Sequence, residues 1–466
     1  MDSKRLILKF ILLFGLTFLT GLISSRIGFN TQQVISMSIF SVSVFATLLF
    51  WDFRVAIAFL GVGMLLLTKT VDLENIIKFA SLEVILFLMG MMVLVGLLKE
   101  SGFFAWLITL ILRTKNLTAK KFVFIISILS ALLSCVVDEV TSIVFMSAAV
   151  LEICDYFEVE PTVYIIISIL ATNIGSTGTV LGNPIGILIA SKSGLTFEDF
   201  LFKAFPLMLI CLLITIFLVI IWYRKSIIKL DKNMNELKAN EILIRLISVP
   251  PEKKLRVSLS IFGITLLFIS LHHRLELLWY LETNTLLLSI PLLSAGAIMI
   301  WKWNKARSYI EKDVDWWTLL FFMFLFAKAG TLKYTGATDI IAKKAVSIIG
   351  NNLNFLSGII LWVSFLGSSI LDNVVLVAAF IPIIQGFQAL NLNLQPLWWA
   401  LLFGGCFGGN LTMVGSTANI VALGLLEKER GIRMNFFRWL GIGLVIGIIT
   451  TSVAWVTLLF IPHYYR

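Results

Sequence analysis

Apolar runs of about 20 residues recur along almost the whole chain, broken by short polar punctuation and seldom by charge. A helix needs about 20 residues to cross about 30 Å of hydrocarbon, so each run predicts a membrane span. Eleven are predicted, centred on residues 6–23, 34–50, 54–67, 83–98, 162–190, 205–222, 257–271, 285–300, 316–332, 397–425 and 439–460. The first follows Lys4 and Arg5 as a signal peptide would, but no small-residue cleavage site comes after it, so it is kept as a span.

Two further apolar stretches, 122–154 and 355–389, carry an acid at their midpoints, Asp138 and Asp372. A carboxylate at the centre of a full span costs several kcal/mol. A helix that goes in halfway, turns and leaves puts the acid at a hairpin tip, and backbone may turn at that depth only where it is buried in protein or lines water. The fold class expected is therefore an all-α polytopic membrane protein with two re-entrant hairpins.

Composition agrees: of 466 residues, 59% are hydrophobic and 14% charged, against about 45–50% and 25% in soluble domains. Soluble enzymes and nucleic-acid binders are excluded. The net charge of +10 belongs to the loops. With the N-terminus inside, inside segments hold about 26 basic residues and outside segments about 10, which orients the chain N-in and C-out in the cytoplasmic membrane. The largest basic cluster, residues 224–256, is expected to be a solvated, lipid-facing connector. Cys135, Cys154, Cys211 and Cys406 lie inside apolar runs and are expected to be small core hydrophobes. His272 and His273, at the end of a span, are expected at the interface.

An offset of about 234 residues lines up Gly102 with Gly336, Asp138 with Asp372 and, with one residue of slip, Gly182 with Gly415. The stretch leading into the first hairpin, residues 113–121, carries four basic residues, and its counterpart 347–355 carries none. Two repeats facing opposite sides are thus expected, a recurrent plan of secondary transporters with a midplane site. The expected division is 1–223 for the N-terminal repeat with extra helices (core about 83–222), 224–256 for the linker, and 257–466 for the C-terminal repeat (core about 316–460).

Four polar segments fall at membrane depth: the tips CVVDEVTS and SSILDNVV, and the interruptions ATNIGSTGTVLGNP and GGNLTMVGSTAN. Glycine lets the backbone leave helical geometry, which frees carbonyls for a cation and N–H groups for an anion. Alternatively, such small residues serve close helix packing. Asp138 and Asp372 are the leading candidates for handling H+ or Na+, since a buried carboxylate must be paired, protonated or bound to a cation. Glu139 is a weaker candidate beside its neighbour, and Lys328 is a candidate partner for Asp372 or an anion, or a residue that snorkels outward. No GxxxxGK[ST] loop and no clustered His or Cys ligands are present, so no cofactor is expected beyond the coupling ion.

These segments resemble the ion transporter superfamily, in particular the branch of ArsB-type arsenite permeases, NhaD-type sodium/proton antiporters and the melanosomal P protein, with citrate and dicarboxylate carriers as relatives. The likeness rests on DEVTSIVFMSAAVLEICDYFEVEPTVYIIISILATNIGSTGTVLGNP, LDNVVLVAAFIPII and GGNLTMVGSTANIVALG, and runs from about Glu83 to Phe460. It implies inverted repeats, each with a re-entrant hairpin and a broken helix, often in homodimers with an elevator-like transport domain. By matching position it implies that Asp138, Thr141, Asn173, Ser176, Thr177 and Thr179 line one half-site, and Asp372, Asn373, Asn410, Thr412, Ser416 and Asn419 the other. Two departures stand out. The branch has Asn after the first tip aspartate and GDPPN in the first broken helix; here stand Glu139 and GNPIG, with Asn183 and Gly186, so one carboxylate is lost and one gained.

The function expected is secondary active transport of a small anion or oxyanion, citrate-like or arsenite-like, coupled to H+ or Na+. Three other readings remain: a Na+/H+ antiporter, an anion channel, and a membrane subunit driven by a separate ATPase. The partners expected are the bilayer, a small ion and a second copy of the chain.

Overall fold

The computed structural model describes residues 3–50, 53–237, 253–350, 352–390 and 392–460, and helix is the only regular structure among them. Six of these helices are long and apolar enough to cross a membrane: Leu6–Ile27, Thr31–Leu49, Leu82–Glu100, Ala119–Val136, Phe197–Trp222 and Phe436–Phe460. The number is eight if two sharply bent helix pairs each count as one span. The other expected spans are shorter, as in Arg54–Leu67 and Thr285–Trp301, carry lysines, as in Trp316–Tyr334, or are broken by the glycine-rich interruptions.

The two repeats correspond element by element. Leu82–Glu100, Phe103–Leu112, Ala119–Val136, Glu139–Tyr156, Thr162–Gly175, Pro184–Ser193 and Phe197–Trp222 match, in order, Trp316–Tyr334, Ala337–Ile349, Leu353–Ser368, Asn373–Gly386, Gln395–Gly408, Thr417–Arg430 and Phe436–Phe460. The corner glycines explain why the elements begin and end alike. Gly102 and Gly336 adopt φ of 81° and 76° where each second helix starts, and Gly194 and Gly431 adopt 75° and 66° where each half-helix ends. Side chains other than glycine rarely accept that conformation.

The repeats are inverted. Val95, Gly96 and Lys99, late in Leu82–Glu100, share a cavity with Thr318 and Phe322, early in Trp316–Tyr334. At the opposite ends, Ser81 shares another cavity with Phe326, Gly330 and Lys333. The equivalent helices therefore run antiparallel.

Each hairpin turns within a few residues, at Asp138 between Ala119–Val136 and Glu139–Tyr156, and at Asp372 between Leu353–Ser368 and Asn373–Gly386. Behind each hairpin lies the first half of a broken helix, and glycine sets how close they come. A Cβ on Gly175 would stand 2.3 Å from the carbonyl oxygen of Ala131, and a Cβ on Gly408 2.3 Å from that of Phe365. Ala131 and Phe365 are repeat equivalents, so one contact has been built twice.

Around this core, Ser3–Ile27 packs on Thr31–Leu49 and shows Phe14 and Phe18 on its outer face, 68% and 70% exposed, as a lipid-facing helix would. The far end of Leu82–Glu100 is clasped at Glu100, whose carboxylate meets Lys254 at 2.8 Å and Lys305 at 3.0 Å and accepts from the Tyr309 hydroxyl at 2.5 Å. Burial, together with that carboxylate, pushes the Tyr309 phenol above its ordinary value.

One expectation is corrected. The basic stretch after residue 224 is not simply a solvated connector. Arg224–Leu237 is a helix that buries Ile227, Leu230 and Met234, and Asp231 accepts from the Ala119 N–H at 3.0 Å, so it seats against the base of the first hairpin. Residues 238–252 lie outside the described residues. His272 is fully buried within the protein at a 61° bend, with Nδ1 2.8 Å from the Ile269 carbonyl.

Candidate functional site

Both hairpin tips and both helix breaks converge. Each tip aspartate caps the helix that follows it. Asp138 Oδ1 accepts from the N–H groups of Val140 and Thr141, both at 2.8 Å, and Asp372 Oδ1 accepts from that of Val374 at 3.0 Å. A side-chain oxygen at this position satisfies amides that have no partner within the helix, and the positive helix end favours negative charge there. The half-helices are capped by neutral groups instead: Asn183 accepts from Gly186 at 2.8 Å, and Ser416 from Ala418 at 3.2 Å.

The threonines of the two breaks do the same work in each repeat. Thr179 donates to the carbonyl of Cys135, and Thr412 to that of Ser369, the equivalent residue. Each hydroxyl also accepts from the N–H two residues on, at Leu181 and Val414. These two tie hairpin to break. Thr177 donates to the Ile174 carbonyl at 2.8 Å and stays inside its own turn.

Asparagines join the repeats. Asn173 Nδ2 donates to Asn410 Oδ1 at 2.9 Å and to Asn419 Oδ1 at 2.8 Å, while its own Oδ1 is buried without a partner among the described residues. Asn419 in turn donates to the carbonyls of Gly409 and Thr412 at 2.7 and 2.9 Å. On the tip side, Asn373 Nδ2 donates to Glu139 Oε1 at 3.1 Å. Ser176 is the hinge of the cluster: it donates to the Asn173 carbonyl at 2.9 Å, accepts from Asn183 Nδ2 at 3.0 Å, and lies within reach of Glu139.

Asp138, Glu139 and Thr141 face a cavity of about 250 Å³ that also touches Thr417. Glu139 is 1% exposed and Asp372 4%, and the Thr417 hydroxyl donates to Asp372 Oδ2 at 2.5 Å. The expected half-sites thus form one cluster.

Lys328 stands apart from it. Its ammonium donates to Ser43 at 2.5 Å, against the N-terminal helices, so it neither pairs with Asp372 nor snorkels outward. Arg54, buried at the start of Arg54–Leu67, comes closer: it lies 3.4 Å from the hydroxyl of Thr318, which lines the same cavity as Asp138 and Glu139. The sequence reading missed Arg54, Thr417 and Cys406, which receives an Asn183 N–H at 3.0 Å. Thr417 follows the cap serine directly, which is the one local sign of its role.

Among the described residues no group of three His, Cys, Asp or Glu could hold a metal ion. What converges instead is neutral oxygens, three carboxylates and four helix starts, a set that matches an alkali cation or proton and a small anion.

Known proteins resemble the chain over most of its length. An uncharacterised transporter of Mycobacterium tuberculosis is 30% identical over 379 residues, covering 80% of this chain and 84% of its own length. The P protein of Homo sapiens is 24% identical over 460 residues, covering 82% of this chain but 54% of that protein. Among solved structures, the YdaH transporter of Alcanivorax borkumensis, described as having an unusual topology, superposes with a TM-score of 0.55 at 14% identity over 84% of this chain and 87% of that one. The profile of the citrate transporter family matches residues 45–404. With its helical membrane fold, this chain belongs to the citrate transporter family of the ion transporter superfamily and is an integral membrane transporter.

Proposed function

We propose that the protein is a secondary active transporter of a small organic or inorganic anion, with citrate as the first candidate, coupled to H+ or Na+. One observation carries this reading: of the four helix starts that meet at the centre, two are capped by carboxylates and two by neutral side chains. The carboxylate-capped ends, at Asp138 and Asp372, have negative charge of their own to offer a cation. The neutral-capped ends, at Asn183 and Ser416, keep the net positive end of a helix for an anion. The family description supports an anion substrate, and the unpartnered oxygen of Asn173 offers a further ligand to the cation.

In this reading the chain sits N-in and C-out in the cytoplasmic membrane, works as a homodimer, and has repeat cores at about 83–222 and 316–460. The test uses proteoliposomes with an internal pH-sensitive dye. Citrate, then arsenite, is added with and without a Na+ gradient, with Asp372→Asn as control. Anion-dependent flux that needs H+ or Na+ and disappears in the variant is expected; no anion response from wild type would sink the reading.

A Na+/H+ antiporter is the second reading, favoured by Glu139, a third carboxylate at the tips. It requires a proton flux set off by Na+ or Li+ alone.

A further inference from the structure

Leu82–Glu100 and Trp316–Tyr334 run antiparallel, with a cavity at each end of the pair. The two cavities are equivalents. Lys78, Ser81 and Lys333 around one occupy the repeat positions of Lys312, Asp315 and Lys99 around the other, 234 residues away in each case. Even a tight contact is duplicated: a Cβ on Gly330 would stand 2.5 Å from Phe79, and one on Gly96 3.0 Å from Asp313, and Phe79 and Asp313 are themselves equivalents.

The two mouths therefore share a lysine pair and differ in what surrounds it. In one, Asp313 and Asp315 join the lysines, with Lys99 3.4 Å from Asp313, and Asp138 and Glu139 line the same space. In the other, Phe79 and Ser81 stand where the acids would be, and no carboxylate among the described residues lines the cavity. That mouth adds a third lysine, Lys192, held by Glu83 at 2.9 Å outside the lining, and Lys333 donates to Gln385 at 3.3 Å. Its volume of about 520 Å³ falls in the range of small-molecule sites, about 300–1,000 Å³. Ala378, Ile381 and Pro382, on its wall, belong to the hairpin arm that begins at Asn373, so the cavity runs along the element that carries the second tip.

We propose that the mouth formed by Lys78, Lys333 and Gln385 is a capture site for a small organic acid bearing two or more carboxylates, separate from the midplane cluster, and that the acid-neutralised mouth opposite lacks this affinity. The inference rests on the anion-transport reading. Two ammonium groups with no carboxylate between them concentrate a polyanion at the mouth, and the Gln385 and Asn75 amides supply donors that orient it. In the N-in orientation this mouth faces outside.

The test is initial-rate uptake of labelled citrate and succinate by the full chain in proteoliposomes. Lys78→Gln/Lys333→Gln is expected to raise KM at least about tenfold with kcat within about twofold of wild type. Lys78→Arg/Lys333→Arg is expected to restore KM, and Lys343→Gln/Lys344→Gln, exposed and outside both cavities, to leave it within about twofold. Added KCl is expected to raise the KM of wild type and to leave that of the Gln pair nearly unchanged. Wild-type uptake with equal KM in the Gln pair, or an equal rise in both lysine pairs, overturns the capture site alone. No uptake of either acid by wild type overturns the organic-anion reading, and the capture site with it.

Discussion

Asn373 donates its side-chain amide to Glu139, and the two residues are each other's repeat equivalents, 234 positions apart. Residues related by a pseudo-twofold operation can touch only near its axis, so the hairpin tips meet where that axis passes. The pair is also where the repeats differ in charge. Glu139→Gln keeps an oxygen for Asn373 and removes only the carboxylate. Proteoliposome uptake is expected to fall at least about tenfold with little change in thermal midpoint, whereas Glu139→Ala leaves a buried donor unpaired and costs a further 1–3 kcal/mol or so.

Asp138→Asn and Asp372→Asn separate capping from ion handling. Asparagine caps a helix about as well as aspartate, so membrane insertion and thermal stability are expected to stay near wild type. Coupled transport is expected to be lost in both. Wild-type rates in both variants would remove the aspartates from the ion path.

Gly175→Ala and Gly408→Ala each drive a methyl into a backbone carbonyl at 2.3 Å. A backbone cannot rotate aside as a side chain does, so each is expected to cost at least about 1–3 kcal/mol, read as a lower yield of folded protein in detergent and a lower unfolding temperature. Gly424, where an added methyl would meet nothing within 4 Å, gives the contrast. Gly424→Ala is expected to be neutral or to stabilise by about 0.5–1 kcal/mol.

Asn173→Ala removes the side chain that donates to Asn410 and Asn419 together. The expected loss is roughly 1–3 kcal/mol, with transport reduced more than stability, because the two helix breaks are no longer held in register. Equal loss of both in uptake and unfolding measurements would make Asn173 a purely structural link.

The spans, the hairpins and the repeat were legible because each leaves a local mark: an apolar run, an acid in its middle, a motif at a fixed offset. The short helices Leu73–Phe79, Phe103–Leu112 and Ala337–Ile349 left weaker marks, being too short to read as spans. The partners were not legible. Glu139 meets Asn373, and Asn173 meets Asn410 and Asn419, across more than 230 residues, and nothing near either sequence position signals the other. Lys328 shows the limit most plainly. Its place in an apolar run suggested an acidic partner, yet it is served by one serine hydroxyl from a helix outside the repeats. Arg54 reaches Thr318 on the wall of the cavity at the tips, but as the first residue of a short helix it gave no local sign of that.

The glycine seats of Gly175 on Ala131 and of Gly408 on Phe365 have a mechanical consequence. Main chain rests on main chain there, and each seam is stitched by a threonine to a carbonyl at Cys135 or Ser369. Such a joint has no compliant layer in which to slide. A hairpin and its half-helix must travel as one solid piece, so any opening and closing has to be hinged at the outer margins of that piece and not within it.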